Sequence, residues 1–182
     1  MKWDGLKEIY DFVLQMERIF TPNDPCQIIN LARASAERIG ALESFERINP
    51  EDFMTFSEDM KVWIDVALVS CEVRGFKALC FEYDLDNDWS SHFSYYHQDP
   101  TEDQDGFCDH QGGLSLGRWS EIGKYYSDFA TTPKDAARTI GLVAYTVSIF
   151  AQHLFIHQKR LDQLNLRIFV GFHDQSPVTR LY

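Results

Sequence analysis

Apolar positions recur along the chain with a few clear periods. Leu6, Ile9, Tyr10, Val13, Met16 and Phe20 repeat at three-to-four spacing, which predicts a helix from about Asp4 to Phe20, ended by Thr21 and Pro22. Asp24 before Pro25 is a helix-start signal, and Ile28, Ile29, Ala32 and Ile39 carry a second helical stripe up to Gly40. Residues 55–75 fit two patterns. Met60, Val62, Ile64, Val66 and Leu68 alternate as in a strand, whereas Met60, Trp63, Ile64, Ala67, Leu68 and Cys71 line one helical face. End signals favour the helix, because Thr55 with Glu58 matches a capping box and Gly75 suits the left-handed position after Arg74.

The next two segments, FKALCFEYD and WSSHFSYYH, alternate with period two and predict a β-hairpin. A two-residue loop at Asp86 and Asn87 would put the aromatic sets of the two strands on opposite faces. A three-residue loop of Leu85, Asp86 and Asn87 pairs Tyr83 with Trp89 and Leu79 with Phe93, so that both apolar sets share a face. The longer loop is therefore expected, with Asn87 in the left-handed position and Asp84 opposite Asp88. Residues 98–113, QDPTEDQDGFCDHQGG, lack any period and predict a long acidic loop. Thr132 and Pro133 then open a long helix striped by Ile140, Val143, Val147, Phe150 and Leu154 and ending near Leu164, and Leu166 to His173 alternate as a closing strand. The order of elements predicts one α+β domain over residues 1–182. It consists of N-terminal helices, a small, largely antiparallel sheet with a central hairpin, a long C-terminal helix and a final strand.

Composition sharpens this picture in three places. Residues 139–157 contain no Lys, Arg, Asp or Glu, but Thr146, Ser148, Gln152, His153 and His157 are too frequent for a lipid-facing span, so a buried core helix is expected there. The Met1 end shows no basic region, apolar stretch or small-residue cleavage site, which makes the cytoplasm the expected address. Cys26, Cys71, Cys80 and Cys108 are scattered without a CxxC pair, as expected of reduced and mostly buried thiols.

Charge is the most informative feature. The chain carries a net -11, and residues 78–117 hold nine acids and no base, whereas residues 118–182 hold eight bases and five acids. Such a field repels nucleic acid and anionic membranes and speeds encounter with a basic protein.

Several motifs point toward chemistry. Asp84, Asp86 and Asp88 match the first three alternate positions of a calcium loop, but Trp89 stands where glycine is needed and Tyr95 where a bidentate glutamate belongs, so no metal is expected. Gly113 to Gly117, GLSLG, fits a nucleophile elbow around Ser115, yet the acidic loop precedes it where a buried strand is required, and a glycine-rich return turn is expected instead. His153 and His157 sit one helical turn apart, the spacing of a zinc pair, with Leu154 in place of the general-base glutamate and no third ligand in sight. Neither a P-loop nor a dinucleotide fingerprint is present, and no cofactor is expected. The remaining expectation is a binding surface. Asp84, Asp86, Asp88, Asp99, Glu102, Asp103, Asp105 and Asp109 would supply an acidic face, and Trp89, Tyr96, Phe107 and Trp119 aromatic anchors, for a basic protein partner. By functional analogy alone, that profile suits a cytoplasmic inhibitor or immunity protein against a toxin such as a nuclease. The alternative is a small hydrolase or metal-dependent enzyme using Ser115 or the His153/His157 pair.

Overall fold

The computed structural model describes residues 3–20, 24–102, 107, 109–126, 130–172 and 178–182. Helices α1 (Gly5–Ile19), α2 (Cys26–Arg38), α3 (Leu42–Glu46) and α4 (Met54–Arg74) come first. A hairpin of β1 (Ala78–Asp84) and β2 (Ser90–Tyr96), the strand β3 (Gly113–Gly117) and the short helix α5 (Ser120–Gly123) follow. The chain then runs through α6 (Pro133–Phe155), α7 (Gln158–Leu164), β4 (Arg167–Phe172) and β5 (Thr179–Arg180). The strands form one sheet in the order β3-β2-β1-β4-β5, antiparallel except where β1 runs parallel to β4. This is the expected α+β class.

Local chemistry explains most boundaries. The Asp4 side chain accepts from the backbone of Lys7 and caps α1, and Thr132 with Asp135 forms a reciprocal capping box in front of Pro133 at the head of α6. Gly75 closes α4 at φ 70°, as its position after Arg74 predicts. Thr55, however, is not a cap. Asn49 caps a 3-10 turn, Pro50–Phe53, which continues directly into α4, so Thr55 lies inside the helix. The long helix also stops before Leu164, because the chain breaks at Ile156 and His157 and resumes as α7 at 75° to α6.

α6 is the centre of the molecule. It packs on α1, α2, α3 and α4, and its buried residues run almost all the way round it, from Ala136 to Leu154. This burial accounts for the uncharged run at 139–157. Among the described residues no single helix is long and apolar enough to cross a membrane. Gly141 lets α3 approach closely, since a Cβ there would meet the Phe45 ring at 3.0 Å.

The helices cover one face of the sheet, against Leu79, Phe81, Tyr83, Phe93 and Tyr95. On the outer face a smaller apolar cluster of Ala78, Cys80, Tyr96 and Phe169 is covered by Phe107 and Val178. Cys71 and Cys80 are buried, Cys26 is exposed, and Cys108 lies outside the described residues.

Candidate functional site

The hairpin tip differs from its predicted form. Phe81 pairs with Phe93, Tyr83 with Ser91 and Asp84 with Ser90, leaving five residues, Leu85 to Trp89, in the connection. The three-residue loop and the Asp84–Asp88 pairing are thereby corrected, and Trp89 is not on the strand. Asp84 turns back to accept the Asp86 backbone N–H at 3.1 Å, while Asp86, Asn87 and Asp88 are exposed. The left-handed residues are Asp88 at φ 51° and Trp89 at φ 55°, not Asn87. For L residues this conformation costs roughly 1–2 kcal/mol each, so something must hold it.

Trp89 supplies the hold. Its ring is fully buried, stacks on Tyr83 with centroids 5.6 Å apart, and its indole N–H donates to the Thr146 hydroxyl of α6 at 2.9 Å. A second clamp comes from the segment after β3, where the Trp119 backbone N–H donates to the Asp88 carbonyl at 3.0 Å. Gly123 in α5 then closes on the Asp88 backbone so tightly that a Cβ would lie 3.2 Å from Asp88 Cα. The tip is thus a rigid knuckle pinned to the core from beneath.

Elsewhere on the described chain several carboxylates sit beside cations. Glu8 meets Arg38 at 2.8 Å, Glu46 meets Arg33 at 2.7 Å, Asp52 meets Lys124 at 2.8 Å and Glu72 meets Arg160 at 2.8 Å. Asp84, Asp86 and Asp88 make no ion pair among the described residues. Beside the tip, the Trp119 indole donates to Asp59 Oδ2 of α4 at 3.3 Å, so Asp59 and the exposed Glu58 extend the acidic surface onto the first turns of that helix. Neither belongs to the expected site. The helical spacing of α4 gave no hint of them, because only the fold brings α4 next to the tip.

The other expected residues go elsewhere. β2 rises about 20 Å over its seven residues, so the segment that follows Tyr96 starts at the opposite end of the sheet from the tip. Among the described residues Asp99 and Asp109 therefore lie at the other end of the sheet from the tip acids. At the far end Asp99 lies 3.8 Å from Arg167. Burial alone would raise its carboxyl, but hydrogen bonds from Thr101, with Arg180 and Arg167 nearby, outweigh that and hold it below the usual carboxylate range. Asp109 is exposed, while Asp103, Asp105 and the Glu102 side chain lie outside the described residues. The aromatic anchors need correction too. Trp89, Tyr96 and Trp119 are buried in the protein's own packing, and Phe107 sits edge-on to Phe169 at 5.2 Å over the outer cluster.

Ser115 occupies the middle of β3, an edge strand and not a return turn or an elbow. Strand pairing sets Glu82, His92 and Ser115 side by side across β1, β2 and β3, with His92 Nε2 3.2 Å from Glu82 Oε2. His153 and His157 diverge. The first shares a 2.8 Å hydrogen bond with the Ser57 hydroxyl and the second lies 3.5 Å from Asp65. Burial first, then Lys61 and His157, holds the His153 imidazole below its ordinary value. Among the described residues no group of three His, Cys, Asp or Glu side chains is placed to hold a metal ion. A cavity of about 370 Å³ is lined by Ser44, Arg47, Tyr125, Lys134 and Arg138, none of them an expected site residue. Comparison of the chain with protein-family models, with characterised proteins and with solved structures finds no match.

Proposed function

We propose that this protein is a binding module that presents its acidic hairpin tip, with Glu58 and Asp59 alongside, to a basic protein. The observation that carries the reading is the way the tip is held in place. Asp84 at the end of β1 and the exposed Asp86 and Asp88 on the loop make no ion pair among the described residues, and the loop's strained backbone is held by Trp89, Trp119 and Gly123. A field of one sign speeds encounter, and a rigid loop loses little freedom when bound. A cytoplasmic inhibitor or immunity protein that covers the basic surface of a toxin such as a nuclease is the role this profile fits.

The test is capture from the source organism's lysate at low and moderate salt with the wild type, D86N/D88N and D109N. Retention of one basic protein by the wild type and D109N, and its loss with D86N/D88N, supports the tip. Identical capture by all three, or by none, refutes it.

A second reading, hydrolysis at Ser115, rests on the row of Glu82, His92 and Ser115, which has the order of an orienting acid, a base and a nucleophile. A fluorophosphonate probe that labels the wild type and spares Ser115→Ala would support it. An unlabelled wild type would end it.

A further inference from the structure

The cavity of about 370 Å³ has the size of a small-molecule site, and its described wall is chemically one-sided. Ser44 on α3, Arg47 just after it, Tyr125 after α5, and Lys134 and Arg138 on the first turns of α6 line it. Two guanidinium groups, one ammonium and two hydroxyls thus share the wall, and no carboxylate is among the described lining residues, in a chain of net charge -11. A positive surplus remains after the ion pairs are counted. Arg47 meets Glu43 at 2.5 Å and Arg138 meets Asp135 at 2.5 Å, whereas Lys134 makes no ion pair among the described residues. The Asp135 carboxylate is also committed to the capping box, where Oδ2 accepts from Thr131 and Thr132. Asp52 is taken up by Lys124 at 2.8 Å and by the Tyr125 hydroxyl.

Helix stability does not ask for these cations. Lys134 is the second residue of α6, at the positive end of the helix dipole, where a cation costs about 0.3–1 kcal/mol at low salt. The wall is also built in advance. Gly141 permits the close packing of α3 on α6, and the Tyr125 hydroxyl is held by accepting the Asn49 N–H at 3.1 Å while it donates to Asp52.

We propose that this cavity binds the phosphate group of a small phosphomonoester. Guanidinium forks match the oxygens of a phosphate, an ammonium adds a point charge, and a serine hydroxyl can donate to the same group. Arg47 spends Nη2 on Glu43 and keeps further donors on its fork. Size separates an ester from the bare ion. A water molecule's share of liquid is about 30 Å³, so a space of about 370 Å³ leaves room beside the phosphate for a sugar-sized body. The proposal goes beyond the binding reading above and does not rest on it.

The experiment is isothermal titration calorimetry at low salt with glucose 6-phosphate, adenosine monophosphate, inorganic phosphate, glucose and adenosine. Proteins are the wild type, K134Q, R47Q and K159Q, the last an exposed lysine of α7 outside the cavity. Arg138 is left alone, because removing it would strip the buried Asp135 of its cation. At least one of the two esters is expected to bind the wild type and K159Q alike, with Kd at or below about 1 mM, and K134Q and R47Q at least about fivefold more weakly. Inorganic phosphate should bind more weakly than that ester, and glucose and adenosine not at all. Failure of both esters to bind overturns the proposal. So does a loss with K159Q as large as with K134Q, which would be unspecific attraction, or inorganic phosphate bound as tightly as the ester. Melting curves check the fold of each variant, and should K134Q be unfolded, the exposed Arg47→Gln change decides alone.

Discussion

The hydrogen bond between Trp89 and Thr146 joins the tip to the core, and a double-mutant cycle measures how firmly. Thr146→Val keeps the shape of the side chain and removes the hydroxyl that accepts from the indole at 2.9 Å. Both residues are fully buried, so the indole N–H is left without water or acceptor, at a cost of about 1–3 kcal/mol. Trp89→Phe removes the donor and part of the ring stacked on Tyr83, leaving a cavity worth about 2–3 kcal/mol. In the double variant both polar partners are gone, and the two changes are expected to cost at least about 1 kcal/mol less than their sum. Urea and thermal unfolding followed by circular dichroism measure this directly, each kcal/mol moving the midpoint by about 2–4 °C for a chain of this size. Trp89→Phe should also weaken partner capture, because the left-handed turn at Asp88 loses its support. A Thr146→Val protein within about 0.5 kcal/mol of wild type, or strictly additive costs, would refute the claim that this bond anchors the tip.

Three further outcomes are expected. Gly5→Ala should lower stability by about 1–3 kcal/mol in urea unfolding, because its Cβ would overlap the Ala130 carbonyl. Stability should depend on pH through His153, whose folded value lies below the ordinary 6.5. The unfolded chain therefore takes up the proton first, so this contribution is complete above about pH 6.5 and fades as pH falls toward the folded value, a slope that His153→Gln should remove. Burial pushes the Cys71 thiol up to about 12, with Arg160 only partly opposing it, and raises Cys80 well above its ordinary value. Iodoacetamide on the native protein should accordingly label Cys26 and spare both, and peptide mapping that finds Cys71 labelled as fast as Cys26 would contradict the burial.

How much of this could be read beforehand depended on whether a signal was local. The helix start at Thr132 and Pro133 and the left-handed Gly75 are decided within a turn of chain, and both are where the sequence places them, whereas the capping box expected at Thr55 fails because the 3-10 turn capped by Asn49 already leads into α4. The hairpin shows the limit. Predicted and observed registers differ by two residues, and a shift of two leaves every side chain on the same face, so the apolar pattern is blind to it. What decides the loop length is Trp89 reaching Thr146, fifty-seven positions away. β5 is two residues long and exists only because β4 pairs with it, so no period could announce it. The acids were legible as composition, but which of them lie together follows from the tertiary fold: the direction of β2 carries Asp99 away from the tip, and the Trp119 indole meets Asp59 of α4 beside it. The strand-like alternation that made residues 55–75 ambiguous had a source as well. Val62 and Val66 are exposed on the outer side of α4, and Ile64 and Leu68 belong to the core.

The parallel pairing of β1 with β4 governs how the molecule is made. Ala78 aligns with Arg167 and Tyr83 with Phe172, so the central strand waits for a neighbour some ninety positions downstream. Non-local pairings of this kind form slowly, since the intervening chain must be ordered before the contact is rewarded. On the ribosome, at roughly 5–20 residues per second, the β1–β2 hairpin leaves the exit tunnel several seconds ahead of α6 and β4, with one edge of β1 bare and the apolar face beneath it still lacking α6. Substitutions in α6 should therefore appear first as a lower soluble yield during expression, and only secondarily as a change in the melting point of the protein that survives.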